Sequence, residues 1–167
     1  MTEPMTNRKS EQIEAVLAHV DAELEQSLER LYGLLRIKSI STDPAFKQEC
    51  QRAADWIVAE LRDIGFDATA HATPGHPVVW ARGAAVPGPH VLFYAHYDVQ
   101  PVDPLELWHS DPFEPQLATD AAGRQIIVAR GASDDKGQML TFIEACRAWQ
   151  KVTGALPVTV SLMLEGE

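Results

Sequence analysis

His90-Val91-Leu92-Phe93-Tyr94-Ala95 is followed at once by His96-Tyr97-Asp98, so a continuous apolar run turns polar within one residue. A short run of this kind, without alternation, is what a strand covered on both faces looks like. Val86-Pro87-Gly88-Pro89 breaks the chain just before it. His96, Tyr97 and Asp98 therefore stand at the carboxyl end of a strand, where open α/β sheets collect their ligand sites.

Downstream, a similar arrangement recurs. Gln125–Ala129 reads as a strand, Arg130–Gly137 as a tight loop and Met139–Trp149 as an apolar-striped helix. Pro157–Leu164 is another strand, closed by Glu165-Gly166-Glu167. Upstream, Phe66–Ala70 and Pro77–Ala81 read as short strands separated by the turn signal Pro74-Gly75.

Further back, Val16, Leu17, Val20, Leu24, Leu28, Leu31 and Leu35 follow Ile13 at spacings that form the stripe of one long amphipathic helix, expected to pack into the core. Ser41-Thr42-Asp43-Pro44 supplies capping oxygens and a first-turn proline for a second helix. That helix carries Ala53, Trp56, Ile57, Leu61 and Ile64, and Gly65 is placed to end it at positive φ. Residues 1–9 are polar and aperiodic and are expected to fray. The sum is an α/β fold, a sheet flanked by helices.

The chain has 167 residues, of which 46% are hydrophobic, enough for a core of its own. Its formal net charge of -10 opposes attraction to nucleic acid and to anionic lipid surfaces. The N-terminal residues lack the apolar core of a signal peptide, and no stretch of about 18 apolar residues occurs, so a cytoplasmic protein is expected. Cys50 and Cys146 lie far apart within helical patterns and read as small buried side chains rather than a disulfide.

Chemistry gathers in three polar clusters at the edges of apolar segments: His96-Tyr97-Asp98, Ser133-Asp134-Asp135-Lys136-Gly137 and Glu165-Gly166-Glu167. Imidazole with carboxylate is a donor set suited to Zn2+ or a similar divalent ion. Residues two apart on a strand share a side, so Asp98 can accept from the His96 ring, which is the relation of a metal ligand to the carboxylate that orients it. Taken alone, a pair of this type is more often ordinary hydrogen bonding. Asp134 and Asp135, framed by Gly131 and Gly137, suit a bound cation, although taken singly the pair is more simply the start of a helix. Each cluster alone has a structural explanation, whereas one metal site accounts for all three.

Ala95-His96-Tyr97-Asp98-Val99-Gln100-Pro101, Trp108-His109-Ser110-Asp111-Pro112-Phe113, Arg130-Gly131-Ala132-Ser133-Asp134-Asp135-Lys136-Gly137 and Leu164-Glu165-Gly166-Glu167 resemble, in order, the signatures of the M20 metallopeptidases. The first string is most similar to the carnosinase-like dipeptidase branch. The resemblance implies that His96 ligates one metal, that Asp134 bridges two, and that Asp98 is a catalytic-site residue orienting His96. Asp135 would shape the loop, and Lys136 and Gly137 would begin the next helix. Trp108 and Asp111-Pro112-Phe113 would be structural, and His109 a surface histidine.

It further implies two Zn2+ per full-length chain, with Mn2+ or Co2+ as substitutes, and hydrolysis of a dipeptide amide bond. The partner is then a small peptide or, for the deacylases of the same family, an N-acyl amino acid. A non-catalytic α/β binding module is the competing reading. The family's two successive glutamates, one the general base, lie past Glu167, so Glu165 and Glu167 are read as solvated strand-end carboxylates. Residues 10–167 are accordingly expected to be the N-terminal part of an M20-type catalytic domain, inactive alone and poorly soluble. The smaller domain of the longer protein would make it a homodimer.

Overall fold

A computed structural model describes the backbone of residues 5–167 and the side chains from Ser10 onward. Four helices, α1 (Met5–Ala22), α2 (Leu24–Leu35), α3 (Lys47–Asp63) and α4 (Lys136–Thr153), accompany six strands. The strands are β1 (Asp67–His71), β2 (Val78–Arg82), β3 (His90–His96), β4 (Gln116–Thr119), β5 (Gln125–Val128) and β6 (Thr159–Glu165). The main sheet runs β1-β2-β6-β3, with β6 antiparallel to β2 and parallel to β3. β4 and β5 form a separate antiparallel hairpin.

α3 and α4 supply the side chains that cover one face of the main sheet. Ala53, Ala54, Ile57 and Leu61 of α3, with Met139, Leu140, Ile143 and Cys146 of α4, close over Ala68, Val79, Ala81, Ala95, Leu162 and Leu164. Burying a side chain such as Ile57 or Leu61 stabilises by about 1.5–3 kcal/mol, and these are fully enclosed. Gly65 ends α3 at φ +90, as its sequence position suggests. Gly154 does the same for α4 at φ +74.

Several expectations change. The long first helix is two: its geometry breaks at Glu23, with φ -101 and ψ 11, although the Val20, Leu24 and Leu28 spacing runs across the break. Apolar periodicity reports the face, and a single residue off helical geometry leaves it almost intact. Only part of that stripe is core. Val16, Leu34 and Leu35 are buried, whereas Ile13, Leu17, Val20 and Leu24 are exposed.

Of the segment expected to fray, residues 1–4 lie outside the described residues, and from Met5 the backbone is helical. Met5 to Lys9 contains neither glycine nor proline, so nothing local stops the helix from extending there.

β3 is an edge strand with its Leu92 and Tyr94 face exposed among the described residues, not a strand covered on both sides. An apolar run does not distinguish the two situations. β5 belongs to the hairpin and not to the main sheet, so the apparent repeat of the strand, loop and site pattern is not one. Its partner β4 is half polar and carries no alternation to announce it. Asp120 closes the hairpin by accepting from the amides of Ala122 and Arg124 and from the Arg124 guanidinium.

Candidate metal centre

Parallel pairing of β3 with β6 sets His96 opposite Glu165, and the Tyr97 amide still donates to the Glu165 carbonyl at 2.9 Å. Beyond that point the chain leaves β6 and pairs with the loop after α2. Ile40 bridges Val99, the Val99 amide donates to the Ser39 carbonyl at 2.8 Å, and the Ser39 hydroxyl donates to the Tyr97 carbonyl at 2.8 Å. Tyr97 itself points into the core, where its hydroxyl donates to the Pro77 carbonyl at 2.6 Å and burial pushes its pKa up. A side chain at Gly166 would run into that ring, which is why glycine stands there.

With Tyr97 turned inward, His96 and Asp98 point the other way and meet. His96 Nδ1 is 3.1 Å from Asp98 Oδ1, and His96 Nε2 is 3.0 Å from Asp134 Oδ1. Asp98 is almost fully enclosed, at 4% relative exposure, and its second oxygen accepts from the Ser41 hydroxyl at 2.7 Å. The Asp134 side chain is 86% exposed. One carboxylate is thus built into the structure behind the imidazole, and the other faces solvent in front of it.

The loop that carries Asp134 is held from two sides. Gly131 adopts φ +86, and a Cβ there would lie 2.9 Å from Val99 Cγ1, so the loop is packed directly on the segment after His96. Lys136 is fully buried, and its ammonium donates to the carbonyls of Ile37 at 2.6 Å and Leu34 at 3.2 Å. Those carbonyls lie at and just beyond the carboxyl end of α2, where basic side chains commonly bond the last carbonyls of a helix. Burial lowers the Lys136 pKa to about 7, against the opposing pull of the Cys50 thiol and the Asp98 and Glu49 carboxyls.

Asp135 occupies the N-cap position of α4, yet its carboxylate caps nothing there and instead accepts from the His96 amide at 3.2 Å. Helix capping, the structural explanation open for this pair, is therefore not what these carboxylates do.

His96 faces a carboxylate at each ring nitrogen, an arrangement that favours the doubly protonated, charged ring when no metal is bound. Partial burial works against its charge, but Asp98, Asp134 and Asp135 together outweigh burial and raise its pKa above the ordinary histidine value. Among the described residues no lysine or arginine pairs with Asp98, Asp134 or Asp135.

The facing Nε2 and Oδ1 atoms fit a divalent ion in spacing as well as in chemistry. Ligand bonds of about 2.0–2.1 Å in a tetrahedral zinc site put neighbouring donor atoms roughly 3.3 Å apart, a few tenths more than the 3.0 Å seen here. The chain supplies this donor pair and not a closed cage, since no three His, Cys, Asp or Glu side chains converge as a metal cluster among the described residues.

Other candidates fall elsewhere. His109 is exposed, as expected. Trp108 and Asp111 act within their own loop, the indole donating to the Val102 carbonyl and Asp111 accepting from the Phe113 amide. Glu165 accepts from the Tyr94 hydroxyl, and Glu167 lies 3.2 Å from the Ser41 hydroxyl, so neither is simply solvated. Sequence reading missed Ser39, Ser41 and the anchoring of Lys136. Ser41 reads in sequence as part of a helix-start signal, but Asp43 alone caps the following turn, accepting from the Ala45 amide at 2.9 Å.

Residues 92–167 match Peptidase family M20/M25/M40. Over 158 residues the chain is 31% identical to a Cys-Gly metallodipeptidase of Schizosaccharomyces pombe, covering 88% of this chain and 32% of that protein. Over 128 residues it is 31% identical to a succinyl-diaminopimelate desuccinylase of Thioalkalivibrio sulfidiphilus, covering 77% of this chain and 31% of that one. The crystal structure of human carnosine dipeptidase 1 superposes with a TM-score of 0.81 at 28% identity, covering 92% of this chain and 34% of that one. The chain belongs to peptidase family M20/M25/M40. It spans about a third of the length of the relatives it matches.

Proposed function

We propose that the protein is a metal-dependent dipeptidase whose centre holds two zinc ions, with His96 a ligand of one and Asp134 bridging both. The observation that carries this reading is the placement of His96 between an enclosed carboxylate, Asp98, and an exposed one, Asp134. Zinc held there would polarise the amide carbonyl and acidify the attacking water. Asp98 accepts the hydrogen bond from Nδ1–H and so leaves Nε2 free to bind, which fixes the ring and strengthens it as a donor. Asp135 holds the backbone of His96, and Lys136 anchors the loop that presents Asp134. Residues 10–167 then form the amino-terminal part of a catalytic domain, and the general base is assigned to neither Glu165 nor Glu167.

An N-acyl amino acid deacylase is the second reading, supported by the similarity to a desuccinylase. The two share the centre and differ in what the substrate pocket accepts. The deciding experiment measures metal content by elemental analysis, together with hydrolysis of dipeptides and of N-acetyl and N-succinyl amino acids. It compares the full-length protein, the parent, with its His96→Ala and Asp134→Ala variants. About two zinc ions in the parent, with metal and activity lost together in both variants, support the proposal. A parent that holds no metal and cleaves neither substrate class removes it and leaves a binding module.

A further inference from the structure

We propose that Ser41 is a positioning residue of this centre, acting through Asp98; the inference rests on the metal-centre reading above. Asp98 has two oxygens to satisfy in an almost closed environment. Oδ1 faces His96 Nδ1 at 3.1 Å, and the donor to Oδ2 is the Ser41 hydroxyl at 2.7 Å. A buried carboxylate oxygen left without a donor is costly, and a carboxylate held at only one oxygen is free to turn about its Cβ–Cγ bond. The hydroxyl therefore decides the plane of the Asp98 carboxylate, and that plane decides where His96 Nε2 points.

Ser41 is itself held for this task. Its carbonyl accepts from His76 Nε2 at 2.9 Å, and the preceding residue, Ile40, bridges Val99, so Ser39 to Ser41 runs alongside Tyr97 to Val99. Local structure makes no other use of the hydroxyl, because Asp43 caps the turn that follows. The one competing acceptor, Glu167 Oε2, lies farther away at 3.2 Å. A hydroxyl has one proton to give, and the shorter distance assigns it to Asp98.

The test is Co2+ binding, read from the visible absorption of the ion and from competition with a chelator. It compares the parent, Ser41→Ala, Ser41→Thr, Asp98→Asn and the Ser41→Ala/Asp98→Asn double variant. Ser41→Ala is expected to weaken Co2+ binding about five- to tenfold, near the low end of what loss of a ligand's hydrogen-bonded support costs. It should also alter the absorption envelope of the bound ion, which a loss of stability alone does not move. Ser41→Thr, which keeps the hydroxyl, should restore the affinity. In the Asp98→Asn background, removing the hydroxyl should change affinity by no more than about twofold, because the residue it acts through is already altered.

Parental affinity in Ser41→Ala, or the same loss in both backgrounds, overturns the inference and leaves the metal centre standing. A parent that takes up no Co2+ removes both. Should Ser41→Ala fail to fold, Ser41→Cys replaces it. A thiol is a weak donor on a nearly isosteric side chain, so a cysteine variant that binds Co2+ like the parent overturns the inference equally.

Discussion

Two clusters of charged side chains lie along α4, one at its amino end and one about its middle, and they are built on opposite principles. Where α2, α3 and α4 meet, Arg30 and Arg147 are enclosed by Glu60, Asp63 and Glu144. Glu144 accepts from Arg30 through both oxygens, at 2.8 and 2.6 Å, and also from Ser27 at 2.8 Å and Arg147 at 3.1 Å. Arg147 reaches Asp63 at 2.6 Å and Glu60 as well. Each charge there has its counter-charge in the fold.

At the amino end of α4, Asp98, Asp134 and Asp135 surround one imidazole, and the nearest lysine, Lys136, gives its protons to carbonyls. The first cluster is complete as folded. The second is deficient in positive charge, the imbalance that the proposed metal centre requires.

The largest effect expected from this contrast is structural. Glu144→Ala leaves two guanidiniums short of a partner in a half-buried cluster and should destabilise by about 3 kcal/mol in urea unfolding. Its Co2+ affinity should match the parent's. If instead affinity falls with stability, the two clusters are not separate and the contrast fails.

Asp98→Asn should do the reverse. It replaces an acceptor with an amide behind the ring, so metal affinity should drop roughly 10- to 100-fold, while the metal-free unfolding midpoint moves little. Calorimetric titration with Zn2+ beside thermal unfolding separates the two outcomes.

Acid should also split the clusters. Burial works against the charge of Glu144, but hydrogen bonds from Arg30 and Ser27 and the charges of Arg147 and Arg30 prevail and lower its pKa. Its stabilisation is therefore present above the unfolded glutamate pKa and disappears as pH falls through the lower folded value. Glu60 runs the other way, since burial raises its pKa despite Arg147. The His96 pKa is raised, so in the metal-free protein the contribution of the charged ring is full below the unfolded histidine pKa. It is lost as pH rises through the folded value.

Because a cation and the Nε2 proton compete for one lone pair, metal affinity should climb over that same rise in pH. Metal affinity that does not change with pH near neutrality would mean His96 is not a ligand. The smallest effect is expected from Arg36→Ala, which breaks the exposed Arg36–Glu114 pair and should leave both the unfolding midpoint and metal affinity where they were.

Much of this was legible in the chain. The polar break after Ala95, the glycine-framed Asp134-Asp135 pair and the acidic end of β6 placed the candidate residues at strand and helix ends, because residue type and spacing are local properties. The helix stop at Gly65 and the His96–Asp98 pairing followed for the same reason, one from backbone freedom and the other from the period of a strand.

Tertiary structure alone decided the rest. That β3 lies at an edge, that β5 pairs with β4 outside the main sheet, and that Ser41 serves Asp98 rather than a helix cap all depend on residues between 6 and 69 apart in sequence. A hydroxyl or an apolar run is compatible with several partners at once. Which one it takes is settled when Lys136 ties its loop to α2 and Ile40 pairs with Val99, and that choice is made by packing, which no local pattern contains.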